Sequence, residues 1–114
     1  MKSINKIILI GHLGAKPEGR YTKNGLSTAS FSLATNESWI GQDKQKHEHT
    51  EWHSIIVWHK LADFATQFLD KGNLIFLEGT LRSRTWENAK KESKKKIEII
   101  ANNLVLLDKN KNVT

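Results

Sequence analysis

Only one stretch of this sequence repeats its apolar residues at a spacing of three and four. Leu61, Phe64, Ala65 and Phe68, within 60–69, predict one amphipathic helix. Lys71-Gly72 follows, with glycine at a usual helix stop. Every other patterned run alternates or is apolar at both parities, the behaviour of strands. A chain of 114 residues with a single helix amid strands is therefore expected to be one all-β domain.

The strand runs can be placed in order. Residues 6–13 are apolar at both parities, with Ile7, Leu9 and Leu13 on one side and Ile8 and Ile10 on the other. Such a strand is covered twice; one face lines a barrel and the other needs a second cover, another subunit being one candidate. Residues 20–22 are a short extended piece, and Lys23-Asn24-Gly25 is a hairpin signal. Residues 26–35 alternate, with Ala29, Phe31 and Leu33 inward and Thr28, Ser30 and Ser32 outward, a small polar row with room for something to lie across it. Residues 40–48 read as a long hairpin loop, 50–58 as a strand, 74–86 as a long strand in which Gly79 allows a bulge or sharp coiling, 87–94 as a second polar loop and 97–107 as a final strand. The order is three strands, a helix and two strands. A five-stranded barrel with its helix between the third and fourth strands is the OB-fold. Residues 1–108 form the expected domain, and 109–114 a short polar end expected to be disordered.

Composition narrows the chemistry. There is no cysteine, which excludes disulfides, thiolate zinc sites and thiol catalysis and agrees with a reducing cytosol. A net charge of +6 favours a polyanionic partner, nucleic acid or a membrane surface. No apolar run approaches the ~18 residues of a membrane span, and Ile7-Ile8-Leu9-Ile10 is too short for the core of a signal peptide. A soluble, intracellular protein is expected.

Four tryptophans sit among 18 Lys and Arg residues, each beside polar or charged neighbours. Trp52 and Trp58 share one parity, roughly 20 Å apart at ~3.3 Å per residue. Arg82, Arg84 and Trp86 share one face of another strand. Two neighbouring strands are then expected to present aromatic planes alternating with guanidinium groups. Single-stranded nucleic acid suits that arrangement, since its unpaired bases stack on any π-face and its phosphates follow a flexible track. Plainer readings stand beside this one. Trp39 sits at a strand end and is also a candidate for burial. Trp52 and Trp58 could face the core with Ile56, although Ser54 interrupts that row and Ile55 and Val57 are better core residues. Arg82 and Arg84 could be an ordinary solvated edge. The lysine-rich run at 90–96 is either a solvated loop or a basic arm.

No catalytic motif is present: there is no G-x-S-x-G, no phosphate-binding glycine loop and no H-E-x-x-H. His47, His49 and His53 share a parity around Glu51, but their spacing matches no compact metal motif, so neither metal nor cofactor is expected.

Collinear segments carry a family resemblance. They include Asn5-Lys6-Ile7-Ile8-Leu9-Ile10-Gly11-His12-Leu13-Gly14, Pro17-Glu18-Gly19-Arg20-Tyr21, Ala34-Thr35-Asn36-Glu37-Ser38-Trp39, Thr50-Glu51-Trp52-His53, Lys60-Leu61-Ala62 and Glu78-Gly79-Thr80-Leu81-Arg82-Ser83-Arg84-Thr85-Trp86. Together they resemble the bacterial single-stranded DNA-binding proteins, homotetrameric OB-fold proteins of replication, recombination and repair. The resemblance implies that Trp39, Trp52 and Trp86 stack on bases, and that Trp58 stands where the family usually stacks a phenylalanine. It implies that Arg20, Lys60, Lys71, Arg82 and Arg84 lie along the DNA path. It places His53 at a subunit contact, beside the second cover expected over Ile8 and Ile10. Ser54 and Ile40 replace basic residues of well-known members. The family usually continues into a disordered tail with an acidic tip that recruits partners; this sequence stops at Thr114, so recruitment through such a tip is not carried over. Two other functions are weighed: an OB-fold adaptor of a replication-restart complex, acting mainly through protein contacts, and an OB-fold nuclease, for which the acidic residues are too scattered.

Overall fold

Alternating runs become strands, and the single helical period becomes the one helix among the described residues. The computed structural model describes residues 2–108; the polar end at 109–114 lies outside the described residues. The elements are β1 (Ile7–Leu13), β2 (Glu18–Tyr21), β3 (Ser27–Ile40), β4 (Lys46–Trp58), α1 (His59–Phe68), β5 (Leu74–Glu87) and β6 (Ser93–Leu106). β2 is a short exposed edge paired only with β3. The other five strands close on themselves. β1 pairs with β5, and its last residues, His12 and Leu13, reach Ala34 and Leu33 of β3. The circuit continues from β5 to β6, β4 and β3. Counting barrel strands alone, α1 lies between the third and fourth, and the fold is the expected OB barrel.

The core follows the period-two rule. Ala29, Phe31 and Leu33 of β3, Ile55 and Val57 of β4, Ile75 and Leu77 of β5, and Ile99 and Ala101 of β6 are buried. α1 buries Ala62 and Ala65 against them. No side chain caps its N-terminus and its first turn has no acid, so packing rather than capping holds it. Its end differs from the glycine stop expected from sequence. Leu69 turns extended with its N–H on the Ala65 carbonyl, and Gly72, at φ 86°, serves the later turn into β5. Gly79 does what its position in the strand implied. The β5–β6 register shifts between Glu78 and Gly79, and a Cβ there would overlap the Ile100 carbonyl oxygen.

Two hairpins outrun the barrel, and here the sequence reading needs correction. Residues 40–48 and 87–94 are not long loops. β3 and β4 stay paired out to Ile40 and Lys46, and β5 and β6 out to Glu87 and Ser93. The outer halves of these ribbons are mostly exposed on both faces, so no apolar alternation marks them as strands. The three hairpin turns share one geometry. Thr22 N–H bonds to Leu26 O, Gly41 N–H to Gln45 O and Asn88 N–H to Glu92 O. The left-handed residue of each turn is Gly25, Lys44 or Lys91. Glycine takes that conformation freely; the two lysines hold it under strain.

Candidate nucleic-acid interface

The barrel face away from the core carries the even-numbered side chains of β3 and β4. In β4, Ile55 and Val57 turn inward, which leaves Trp52 and Trp58 outward, 58% and 38% exposed. Across the ladder Ser32 meets Ser54, Ser30 meets Ile56, Thr28 meets Trp58 and Ala34 meets Trp52. The small row predicted on β3 therefore forms a low floor beside the two indoles. Gly14 gives Trp52 its place: a Cβ there would stand 2.6 Å from the indole Cζ3.

The strands carrying the aromatic and guanidinium rows are not neighbours, contrary to the sequence expectation. β6 runs between them, parallel to β4 at Ile55–Ile99 and Ile56–Ile100 and antiparallel to β5. Its outward residues Lys94, Lys96 and Glu98 oppose Trp86, Arg84 and Arg82. An open cleft of about 750 Å³ spans these strands, with Ser30, Ser32, Ser54, Ile56, Trp58 and Ile100 in its lining. Its charged lining sets Lys16, Arg20, Arg82, Arg84 and Lys96 against Glu18 and Glu98.

The individual cations differ in freedom. Arg20, on β2, pairs in register with Thr28, which pairs with Trp58, so one cross-strand row joins the guanidinium to the indole. Its Nη2 lies 3.8 Å from Glu18. Arg84 donates from Nε to Glu98 Oε1 at 3.2 Å, and its guanidinium carbon lies 4.9 Å from the Trp86 ring centre. Glu98 is 6% exposed, the one buried charged residue among those described. Sequence reasoning missed Lys16 and Glu98 and offered Lys96 only as part of a candidate basic arm. Lys96 was hidden in an all-lysine run without parity; Glu98, a charge between Ile97 and Ile99, was a legible signal. Lys60, on the first turn of α1, and Lys71, in the turn after it, are exposed but do not line the cleft.

Trp39 stands apart. By register it pairs with His47 and shares the parity of Leu33, not that of Ala34 and Trp52. It is 48% exposed near the tip of the β3–β4 ribbon and stacks on the His47 ring at 5.7 Å. His47 contacts Asp43 at 3.0 Å. The Gln45 N–H, then His47, hold the Asp43 carboxyl below its usual range. The His49 contact at 2.8 Å does the same for Glu51. His53 shares a hydrogen bond with Thr35 Oγ1 at 2.9 Å and is half-buried. The three histidines thus have separate partners, and among the described residues no group of His, Asp and Glu gathers to hold a metal. The lysine-rich segment divides: Lys90 and Lys91 sit in the hairpin turn, while Lys94, Lys95 and Lys96 lie on paired strand opposite Trp86, Thr85 and Arg84.

On the far side of the barrel, Ile8 and Ile10 are each 56% exposed, with Val105 exposed beside Phe76 in the same sheet. Lys6 and Glu78 border this surface in a 2.8 Å ion pair. No helix among the described residues is long and apolar enough to cross a membrane.

Comparison with known proteins is consistent with this geometry. Residues 4–107 match the single-strand binding protein family. A single-stranded DNA-binding protein of Neisseria meningitidis serogroup B is 44% identical over 105 residues, covering 92% of this chain and 60% of the relative. Single-stranded DNA-binding protein 1 of Chlorobaculum tepidum is 42% identical over 107 residues, covering 93% of this chain and 66% of the relative. The chain thus spans about 60% of the length of the Neisseria relative. Among solved structures, the Plasmodium falciparum SSB complex with ssDNA matches with TM-score 0.88 and 35% identity, over 95% of this chain and 98% of that one. A deletion mutant of the Thermus aquaticus single-stranded DNA binding protein matches with TM-score 0.81 and 31% identity, over 92% of this chain and 51% of that one.

Proposed function

The chain belongs to the single-strand binding protein family, and from that premise we propose that it binds and protects single-stranded DNA without sequence preference, in replication, recombination and repair. One observation carries the reading: Trp52 and Trp58 stand exposed on one barrel face over a serine floor, with a cleft whose cations outnumber its anions. Bases stack on Trp52, Trp58 and Trp86, each worth ~1–3 kcal/mol, and no contact of this kind reads a base edge. Arg20, Arg82 and Lys96 neutralise phosphates along the cleft. Trp39 takes a base at the ribbon tip, and Lys60 and Lys71 meet the strand where it leaves the barrel near α1.

The exposed Ile8 and Ile10 are the surface on which a second copy packs, and His53 contributes to assembly into a homotetramer. The role is non-enzymatic and the setting cytoplasmic, on nucleoid DNA. Titrating poly(dT) while following tryptophan fluorescence tests the proposal. Strong quenching that weakens as salt rises is expected; absence of quenching at low salt refutes it. Because Arg84 and Arg20 have acidic neighbours, log K should fall with log salt less steeply than the full set of cleft cations implies at about 0.7 per neutralised phosphate.

A further inference from the structure

We propose that Glu98 is a positioning residue: it takes Arg84 out of phosphate neutralisation and fixes its guanidinium as a planar shelf beside Trp86. The inference rests on the ssDNA-binding reading given above. Three observations meet at this point. Glu98 lies on β6 with only 6% of its surface exposed, inside the lining of a cleft suited to a polyanion. A buried carboxylate there opposes phosphate binding and is costly unless paired. Its partner is Arg84, which stays more than half exposed while its Nε is held at 3.2 Å. Using Nε leaves both terminal nitrogens free of Glu98, and with one guanidinium face over the Trp86 ring the opposite face is left for a base. The same group lies 4.9 Å from the Trp86 ring centre.

The consequence is a division of labour between two arginines on one strand face. Arg82 lies directly opposite Glu98 in the ladder, yet the ion pair forms diagonally, to Arg84. Arg82 is left to meet phosphate as a cation. Arg84, its charge balanced by Glu98, presents a π-plane on which a base can stack, as bases do on guanidinium groups. A lysine at 84 would keep the charge but lose both the plane and the Nε hydrogen bond.

A charge-balanced mutant cycle reads this out through the salt dependence of poly(dT) binding, with Arg82→Gln as the phosphate reference. Wild type sets the starting slope of log K against log salt. Glu98→Gln releases Arg84 to phosphate and should steepen the slope by about 0.7, while weakening binding a few-fold at about 0.5 M salt, where stacking dominates. The double variant Glu98→Gln/Arg84→Gln replaces one neutral pair by another. Its slope should return to the wild-type value with the high-salt affinity still reduced, whereas Arg82→Gln should lower the slope by about 0.7. An unchanged slope in Glu98→Gln overturns the proposal. So does a double variant whose slope falls below wild type, since Arg84 would then already neutralise a phosphate. The double variant buries no unpaired charge and keeps the test available if Glu98→Gln alone folds poorly. If wild type itself does not bind poly(dT), the ssDNA reading falls and this inference with it; if wild type binds and only the slopes disagree, the inference alone falls.

Discussion

Gly14→Ala separates the placement of Trp52 from the stability of the barrel. The added methyl would lie 2.6 Å from the indole Cζ3 and 3.0 Å from Cη2. Both atoms belong to the outer edge of a side chain that is 58% exposed, so the indole can swing away without opening the core. Gly14 is not in the left-handed region, and its N–H bond to the Ser32 carbonyl at 3.0 Å survives the change. Removing glycine also restricts the unfolded chain, a gain of about 0.4–1 kcal/mol. This offsets the packing of the indole edge on Gly14, and the net change in stability should stay within about 1 kcal/mol. DNA binding should respond differently. Full loss of one stacked base is worth ~1–3 kcal/mol, about 5- to 150-fold in affinity, and that is the expectation for Trp52→Ala. A displaced but intact indole should lose part of it, so Gly14→Ala should fall between wild type and Trp52→Ala. Thermal melting and fluorescence titration with poly(dT) measure the two quantities. If Gly14→Ala binds like wild type while Trp52→Ala does not, seating of Trp52 on Gly14 is irrelevant to binding. If Trp52→Ala also binds like wild type, stacking at this position is refuted.

Other perturbations follow from equally local features. Lys44 and Lys91 hold the left-handed turn position that Gly25 fills in the first hairpin; Lys44→Gly and Lys91→Gly should each stabilise by about 0.5–1 kcal/mol in urea titrations. Ile8→Asp with Ile10→Asp should leave the barrel folded and abolish self-association by light scattering, since both side chains lie outside the core. The Lys6 ion pair, then Asn103, hold the Glu78 carboxyl below its usual range. Because the folded-state value is depressed, the contribution is present above the unfolded carboxylate range and is lost as pH falls through the folded value. Acid titration of Glu78→Gln should therefore show a shallower loss of stability below about pH 4 than wild type.

Parity was the most informative property of the sequence, because a side chain on a strand facing a core cannot choose its side. Ile55 and Val57 were the better core candidates, which favoured Trp52 and Trp58 outward before any fold was known, and the barrel buries the former and exposes the latter. The same rule failed on the projecting ribbons. Around 40–48 and 87–94 most residues are exposed on both faces, so polar residues occupy both parities and the pattern reads as loop. The pairing of Trp39 with His47, away from the parity of Trp52, lay in one of these silent stretches.

The sequence by itself determined the order of the barrel strands and the single helix after the third of them, allowed a bulge or sharp coil at Gly79 and favoured the outward indoles of β4. Each is a local matter: side-chain period, turn chemistry, or a missing Cβ. The resemblance of its motifs added the family. Only the tertiary structure decided what stands beside what. It placed β6 between the aromatic and guanidinium strands, by a parallel contact between residues more than forty positions apart that no local pattern encodes. The β5–β6 ladder set Glu98 against Arg84, which shares a face of β5 with Trp86. Strand order is fixed by barrel closure, a global balance of buried area and backbone pairing. The electrostatic character of the cleft was therefore legible only once the chain had closed on itself.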